Sequence, residues 1–505
     1  MADTIQPVLV GAGQTVDRPS ELAHARSPLT MMYDSACASA EDAGLKPDQF
    51  SQLDVLAVVD TVGPSLMNNP PGNLAKLFGA NDARQYLSTT GGNTPQTLVN
   101  HFSTEITAER SSMVLLTGAE VLDSLSKSAK TGQVLNWDAQ WTGEDEEPLE
   151  FSPERPGSNS TEVSHGMVAP IVTYPFFENA LRHHYGRSLQ EHQLAIGSLF
   201  APFTKVAKDN PNAWFPTERS AQEIAEPTRE NRYIGFPYTK YMNAVMQVNQ
   251  SASVLMMSDV KARSLGIDES RWVYLHGHCD VSDIWNVTER LNFHSSPALE
   301  LGLSTVMEMA QTSADELNHF DIYSCFPAVV EITRDILGMK AEDPRCLTVT
   351  GGLPYFGGAG NNYSMHAIAS MMDDLRQTPG EFGLVTANGW YLTKHALGVY
   401  STQRPVGPFA RPEVSQLDNT IANLDHPTIE PAPEGRGKVE TFTVMFDREG
   451  QPEQGLVIGS LASGKRFVAG TRGDQTLLRG MISEEVIGAP GVVSSNGTTN
   501  LFEFD

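Results

Sequence analysis

A strand–helix alternation that occurs twice is the feature that most narrows what this chain can fold into. In the first copy, residues 8–15 (VLVGAGQT) form a short apolar run ending in a Gly-x-Gly turn. Residues 27–45 carry apolar side chains at helical spacing, with Ser27 and Pro28 at the start and Gly44 at the stop. Residues 53–61 and 112–120 are further apolar runs, and a helix is predicted between them from about 94 to 109. The alternation returns between about 252 and 397. A helix-like stretch, 251–266 (SASVLMMSDVKARSLG), leads into the strand-like 272–281. A helix over 298–313, a strand FDIYSC and a helix over 328–337 follow. Two glycine-rich blocks close the copy, TGGLPYFGGAGNNYSMH (350–366) and VTANGWYLTKHALGVYS (385–401). Short apolar strands alternating with helices predict sheets covered by helices. The early Gly-x-Gly lacks the third glycine and the downstream acidic residue of a dinucleotide site.

Between the copies, 122–238 is richer in Pro, Trp, Asn and charge. After Tyr400 come proline-rich stretches, RPVGPFARPEV and HPTIEPAPEGRG, read as a linker. Residues 438–471 then alternate apolar and polar with turn signals DREG and ASGK, which predicts consecutive hairpins and a small β-barrel, OB-like in kind. Interleaved basic and aromatic residues are sparse there, so a packing module is expected rather than a nucleic-acid reader.

The 505 residues exceed one ordinary core, and a net charge of −26 argues against nucleic acid as a partner. An anionic ligand then needs a local basic patch or a helix N-terminus. No apolar run is long enough to span a membrane, and the first residues enter a strand without a signal-type segment, so the expected location is cytoplasmic. Four cysteines (Cys37, Cys279, Cys325, Cys346) lack metal-ligand spacing, and no metal or cofactor is expected.

In order and spacing, the glycine blocks and the preceding DIYSCFPAVV resemble the catalytic loops of the thiolase superfamily. The whole chain is similar to the thiolase-like proteins of type 1, near the sterol-carrier thiolases, which carry an added C-terminal domain. The resemblance implies an α/β thiolase fold of two duplicated βαβαβαββ halves in five αβαβα layers. It places the N-terminal half at 1–121 with 239–255, a loop domain at 122–238 and the C-terminal half at 256–403. A linker at 404–437 and the OB-like barrel at 438–505 complete the chain. It also implies a coenzyme A thioester as substrate or ligand, and a monomer or homodimer.

A thiolase needs a cysteine at a helix N-terminus, an activating histidine, a second cysteine as acid and base, and an oxyanion hole. Aligned to that pattern, the nucleophile falls on Gly91 in STTGGNTP, beside Gly92. The histidine falls on Gly358 within GGLPYFGGAGNNYS, where Gly351, Gly352 and Gly357 match the family's glycines. The second cysteine falls on Ala387, followed by Asn388 and Gly389. The strand-end motif reads Tyr323-Ser324-Cys325-Phe326, with Tyr323 as hydrogen-bond donor or proton acceptor, and Cys325 read as structural. His366 and His395 are the histidines nearest these loops and complete the candidate set with Tyr323.

Three readings stay open. One is an acyl-CoA-handling acyltransferase relative that keeps the glycine frame without a cysteine thioester. A second is a tyrosine-dependent retro-aldol lyase, with Tyr355 and Tyr363 flanking Gly358 as further phenols. The third is a non-catalytic acyl-CoA or partner-binding protein.

Overall fold

The computed structural model describes residues 5–62, 68–137, 147–406 and 413–505. The first half contributes strands β1 (Pro7–Val16), β2 (Val55–Val59), β3 (Arg84–Leu87), β4 (Met113–Glu120) and β5 (Leu149–Glu150). A short hairpin, β6 (Tyr233–Gly235) and β7 (Tyr238–Thr239), closes the intervening loop domain before β8 (Gln250–Ser258) returns to the first half. The second half holds β9 (Val273–Ser282), β10 (Leu317–Asp321), β11 (Phe382–Gly389) and β12 (Lys394–Ser401).

The strands run in the order β10-β11-β12-β9-β1-β8-β4-β2-β3-β5. The two halves are mirrored in pairing. β1 pairs antiparallel with β8, β8 antiparallel with β4, and β4 parallel with β2. In the same way β9 pairs antiparallel with β12, β12 antiparallel with β11, and β11 parallel with β10. The sheets meet where β1 and β9 share the pairs Val8–Tyr274 and Leu9–Val273.

Alternate residues of β1 show the layering. Val8 and Val10 pack outward with the helix Pro28–Asp42, whereas Leu9 packs inward. Between the sheets lie two helices in mutual contact, Thr94–Thr107 and Tyr363–Gln377, and the helix Pro297–Ala310 covers the outside of the second sheet. This is the five-layer α/β thiolase arrangement that the sequence resemblance implies.

Burial on both faces explains one correction. Residues 251–266, read as helical, are mostly strand: β8 covers Gln250–Ser258 and only Asp259–Ser264 is helix. Every residue of β8 is buried, so no polar face marks the strand period. Its serines are absorbed by hydrogen bonds such as Ser253 Oγ to Thr117 Oγ1 at 2.6 Å.

The C-terminal strands β13 (Gly435–Phe446), β14 (Pro452–Leu461), β15 (Arg466–Thr471), β16 (Pro490–Ser495) and β17 (Asn500–Phe504) close into a barrel in the order β13-β14-β15-β17-β16-β13. A helix, Gln475–Met481, joins its third and fourth strands, giving a small closed five-stranded barrel. The barrel docks on the loop domain, where Asn179 Nδ2 donates to Phe442 O at 2.9 Å and Thr441 Oγ1 to Phe176 O at 2.6 Å. The stretch read as a linker lies partly outside the described residues. Its described part carries a helix, Val414–Ala422, whose Asp418 accepts from Ser282 N at 2.7 Å. Among the described residues no helix is long and apolar enough to cross a membrane.

Candidate functional site

Both glycine-rich turns and the end of β10 converge on one cavity of about 220 Å³. Thr90, Gly91 and Gly92 border it from the first half; Tyr323, Gly358 and Asn388 border it from the second. Tyr174, from the loop-domain helix Pro170–His184, closes another side. Larger clefts of about 590 Å³ beside Asp373 and 470 Å³ on the barrel gather none of these residues. No barrel residue borders the cavity among the described residues.

The turn before the helix Thr94–Thr107 is where a thiolase carries its nucleophile. A Cβ built on Gly91 would point at Asn93 Oδ1 (2.4 Å) and Lys394 Nζ (2.8 Å), neither of which borders the cavity. A Cβ built on Gly92 would lie 2.0 Å from Tyr323 Oη and 2.7 Å from Asn388 O. The Cβ direction of Gly92, unlike that of Gly91, therefore runs into the Tyr323 phenol, which fills the space a side chain on Gly92 would take. Among the described residues no protein group hydrogen-bonds to that phenol. Burial, then the neighbouring Cys325, hold its pKa far above the usual phenol value, so it stays protonated and acts as a donor.

Asn388 is held by a network that fixes its amide. Tyr174 Oη donates its single proton to Trp390 O (3.0 Å) and accepts from Leu392 N (3.1 Å). The Asn388 atom 2.7 Å from Tyr174 Oη must therefore be the Nδ2 donor. Asn388 Oδ1 is left buried with no hydrogen-bond partner. Cys325 also borders the cavity, but burial pushes its thiol up to about 12, which makes it a poor nucleophile at neutral pH.

Around the rim, Gly91 N donates to Asn361 Oδ1 at 2.9 Å, and Lys394 Nζ is bonded to Thr90 O. Glu154 accepts from Thr90 N on the other side of the same residue. Trp390 borders the cavity at φ 56° and Leu392 follows at φ 54°, so this turn holds two side-chain-bearing residues in the left-handed region. Such strain gathers at functional sites. Glu120 lies just behind the wall. A Cβ on Gly360 would meet its Oε2 at 2.2 Å, and burial raises its carboxyl to about 7.

The sequence singled out some residues that the structure keeps out of the cavity. His366 is fully buried in the central helix, its Nδ1 2.7 Å from Gln14 Oε1, and burial lowers its pKa to about 3. His395 bonds Leu392 O at 3.1 Å and is lowered to about 4, again by burial. Neither borders the cavity, so the catalytic role expected for both is corrected to core packing. Gly351 and Gly352, at φ 109° and 77°, let the loop-domain helix Leu189–Asp209 approach; Cβ atoms there would fall 2.5 Å from Ala207 Cβ and 2.6 Å from Phe203. Gly357 packs on Gln250 and Gly389 on Asn93. Tyr363 is bonded to Asp321 in the core, and Tyr355 does not border the cavity.

The sequence reading missed Tyr174, Lys394, Trp390 and Glu120. Glu120 alone had a usable signal, as the carboxylate at the end of an apolar strand.

One buried cluster has metal-ligand residue types. Glu178, His192 and Glu331 bring ligand atoms within 4.8 Å of one another. Arg187 Nη1 lies 3.2 Å from His192 Nδ1, and a guanidinium can only donate. His192 Nε2 thus carries the ring proton and gives it to Glu178 Oε1 at 2.6 Å. That tautomer offers a metal no lone pair at Nε2 and does not fit a metal centre.

Comparison with known proteins agrees with this fold. Residues 416–498 match the family model for the additional C-terminal domain of thiolase-like protein type 1. Among curated proteins none matches significantly. Of the solved structures, the monomeric SCP2-thiolase-like protein type 1 from Mycobacterium smegmatis is 34% identical over 100% of both chains, with a TM-score of 0.86. The Ltp2–ChsH2(DUF35) aldolase shares the fold at 16% identity and a TM-score of 0.60, over 79% of this chain and 98% of that one. The acetyl-CoA acetyltransferase from Syntrophomonas wolfei does so at 15% and 0.56, over 79% and 100%. With full-length similarity to the mycobacterial protein, the matching C-terminal model and the thiolase architecture, this chain belongs to the SCP2-thiolase-like proteins of type 1.

Proposed function

We propose that the cavity receives the carbonyl end of an acyl-coenzyme A thioester and that Tyr323 donates a hydrogen bond to its oxygen. The carrying observation is that the Tyr323 phenol stands where a side chain on Gly92 would stand, at the turn that starts a central helix. A hydrogen-bond donor replaces a nucleophile, so the chemistry of this site does not pass through a cysteine acyl-enzyme, and ordinary Claisen condensation or thiolysis is not its reaction. The volume suits a short acyl group, since it lies below the roughly 300–1,000 Å³ of drug-sized ligand pockets. The protein is expected to work as a monomer, as the mycobacterial relative is described, and in the cytoplasm.

A second reading, a retro-aldol carbon–carbon lyase, is favoured by the same phenol. A protonated tyrosine suits stabilisation of the enolate oxygen formed when the carbon–carbon bond breaks. The fold shared with an aldolase is compatible with it.

The test is calorimetric titration with coenzyme A and a panel of acyl-CoA thioesters, followed by mass spectrometry of each mixture. Binding with a transferred acyl group supports acyltransferase chemistry, and binding with a cleaved acyl chain supports the lyase. Binding with unchanged ligand leaves a carrier. No binding to any thioester removes the proposal.

A further inference from the structure

The cavity holds a hydrogen-bond donor, Tyr323, but no base. Among the described residues that border it there is no carboxylate, imidazole or amine, and burial keeps the Cys325 thiol protonated. Glu120, behind the wall, does not serve either. It is 1% exposed, and its two oxygens accept from Val62 N at 3.1 Å and Val121 N at 2.9 Å. The thiolase histidine position falls on Gly358. A Cβ built there would stay 3.3 Å or more from its neighbours, whereas one on Gly92 would run into Tyr323. Room is therefore left at Gly358, in the same cavity that Tyr323 borders. Val62, Met246, Leu353 and Phe326 make much of the remaining wall apolar.

These features sort the reactions open to a thioester. Acyl transfer needs a nucleophile. Claisen condensation needs a base for a carbon-bound proton, and retro-aldol cleavage needs one for a hydroxyl proton. Loss of a carboxyl group from carbon 2 needs neither, only a donor for the enolate oxygen. We infer that the site decarboxylates a 2-carboxyacyl (malonyl-type) thioester, with the carboxyl group lodged at Gly358 and the carbonyl oxygen bonded by Tyr323. This rests on the acyl-thioester reading above and names its substrate and reaction. The bond from carbon 2 to the carboxyl carbon breaks, and carbon dioxide leaves. The electron pair stays behind as an enolate, whose oxygen accepts from Tyr323. Carbon 2 then takes a proton from water, and the hydroxide combines with carbon dioxide as bicarbonate. The apolar wall favours this direction, because an ionised carboxylate is costly to bury and neutral carbon dioxide is not.

The experiment incubates the full chain in heavy water with malonyl-CoA and, separately, with succinyl-CoA, and follows the products by mass spectrometry. Succinyl-CoA carries its carboxyl group on carbon 3, where its loss gives no enolate. The expected result is deuterated acetyl-CoA from malonyl-CoA, above the protein-free control, and unchanged succinyl-CoA. Tyr323→Phe should slow the reaction about 100-fold, the usual cost of one oxyanion donor. Gly358→Val, which fills the room for the carboxyl group, should lower calorimetric affinity for malonyl-CoA more than for acetyl-CoA. Circular dichroism of each variant checks folding, and the unmodified protein tests the reaction even where a variant fails to fold. Malonyl-CoA recovered unchanged, while acetyl-CoA or malonyl-CoA binds, overturns this inference alone. Malonate and free coenzyme A as products overturn it, since water has then attacked the carbonyl. An undiminished rate in Tyr323→Phe, or an equal loss of both affinities in Gly358→Val, overturns it too. If none of these thioesters binds the unmodified protein, the acyl-thioester reading itself falls, and this inference with it.

Discussion

Two buried polar clusters sit on either side of the stacked Tyr174–Phe326 pair, and they differ in almost every respect that matters for chemistry. On one side, the cavity gathers Tyr323, Asn388 and Cys325, all neutral at physiological pH, around open space. On the other, Tyr238 packs at a tilt against Phe326 and donates to Glu178 at 2.7 Å, leading into Glu178, His192, Glu331 and Arg187. That second cluster has the residue types expected of an acid–base or metal site, yet it is packed solid. Burial raises both carboxyls, the charge of Glu178 raises Glu331 further, and desolvation lowers His192 to about 4. Titratable residues alone do not make a site; they also need space beside them and a tautomer free to react. Here the ionisable cluster fastens the loop domain to the second half, and the neutral one borders open space.

The contrast is sharpest under mutation. Glu178→Leu leaves His192 Nε2–H and the Tyr238 hydroxyl as unpaired buried donors, so unfolding by denaturant should show a loss of about 3–5 kcal/mol. A loss below about 1 kcal/mol would show that the cluster does not fasten the domains.

Glu120, behind the cavity wall, should give a pH effect of intermediate size. Burial lifts its carboxyl from 4.5 to about 7, so the folded chain holds a proton that the unfolded chain has lost across that window. Its contribution is full below pH 4.5 and is lost as pH rises through 7, about 3 kcal/mol at about 1.4 kcal/mol per unit. Glu120→Gln should flatten that part of the stability profile, read as denaturant midpoints at about pH 5 and about pH 8. An unchanged slope would refute it.

Gly92→Ala drives a methyl into Tyr323, which costs about 1–3 kcal/mol and should abolish thioester binding by calorimetry. Smallest in stability is Tyr323→Phe, within about 0.5 kcal/mol, because its hydroxyl has no protein partner to lose. Its effect belongs to the ligand: affinity for an acyl thioester should fall and any lyase activity should vanish. Full activity in Tyr323→Phe would end the tyrosine reading.

Much of the fold was legible because it is local. The helix Thr94–Thr107 was expected at 94–109, and the hairpins predicted over 438–471 became β13 to β15. β8 was misread because burial on both faces removes the polar stripe from which period is read. At the site, the motif positions Gly92, Tyr323, Gly358 and Asn388 do meet in one cavity. Tyr174 was not legible, since it reaches the cavity from a loop-domain helix with no motif of its own. His366 and His395 misled for a related reason: they are close in sequence to the glycine loops, but their side chains point into the core.

By itself the sequence determined the duplicated α/β frame and the added barrel. These follow from periodicity, turn chemistry and the letters at motif positions. Only the tertiary structure decided that the Cβ direction of Gly92, and not that of Gly91, runs into the Tyr323 phenol, and that the Asn388 backbone oxygen crowds the same point. Those facts depend on Cβ directions a single backbone torsion can reverse, and on contacts between residues hundreds of positions apart. Spacing along a chain does not encode either.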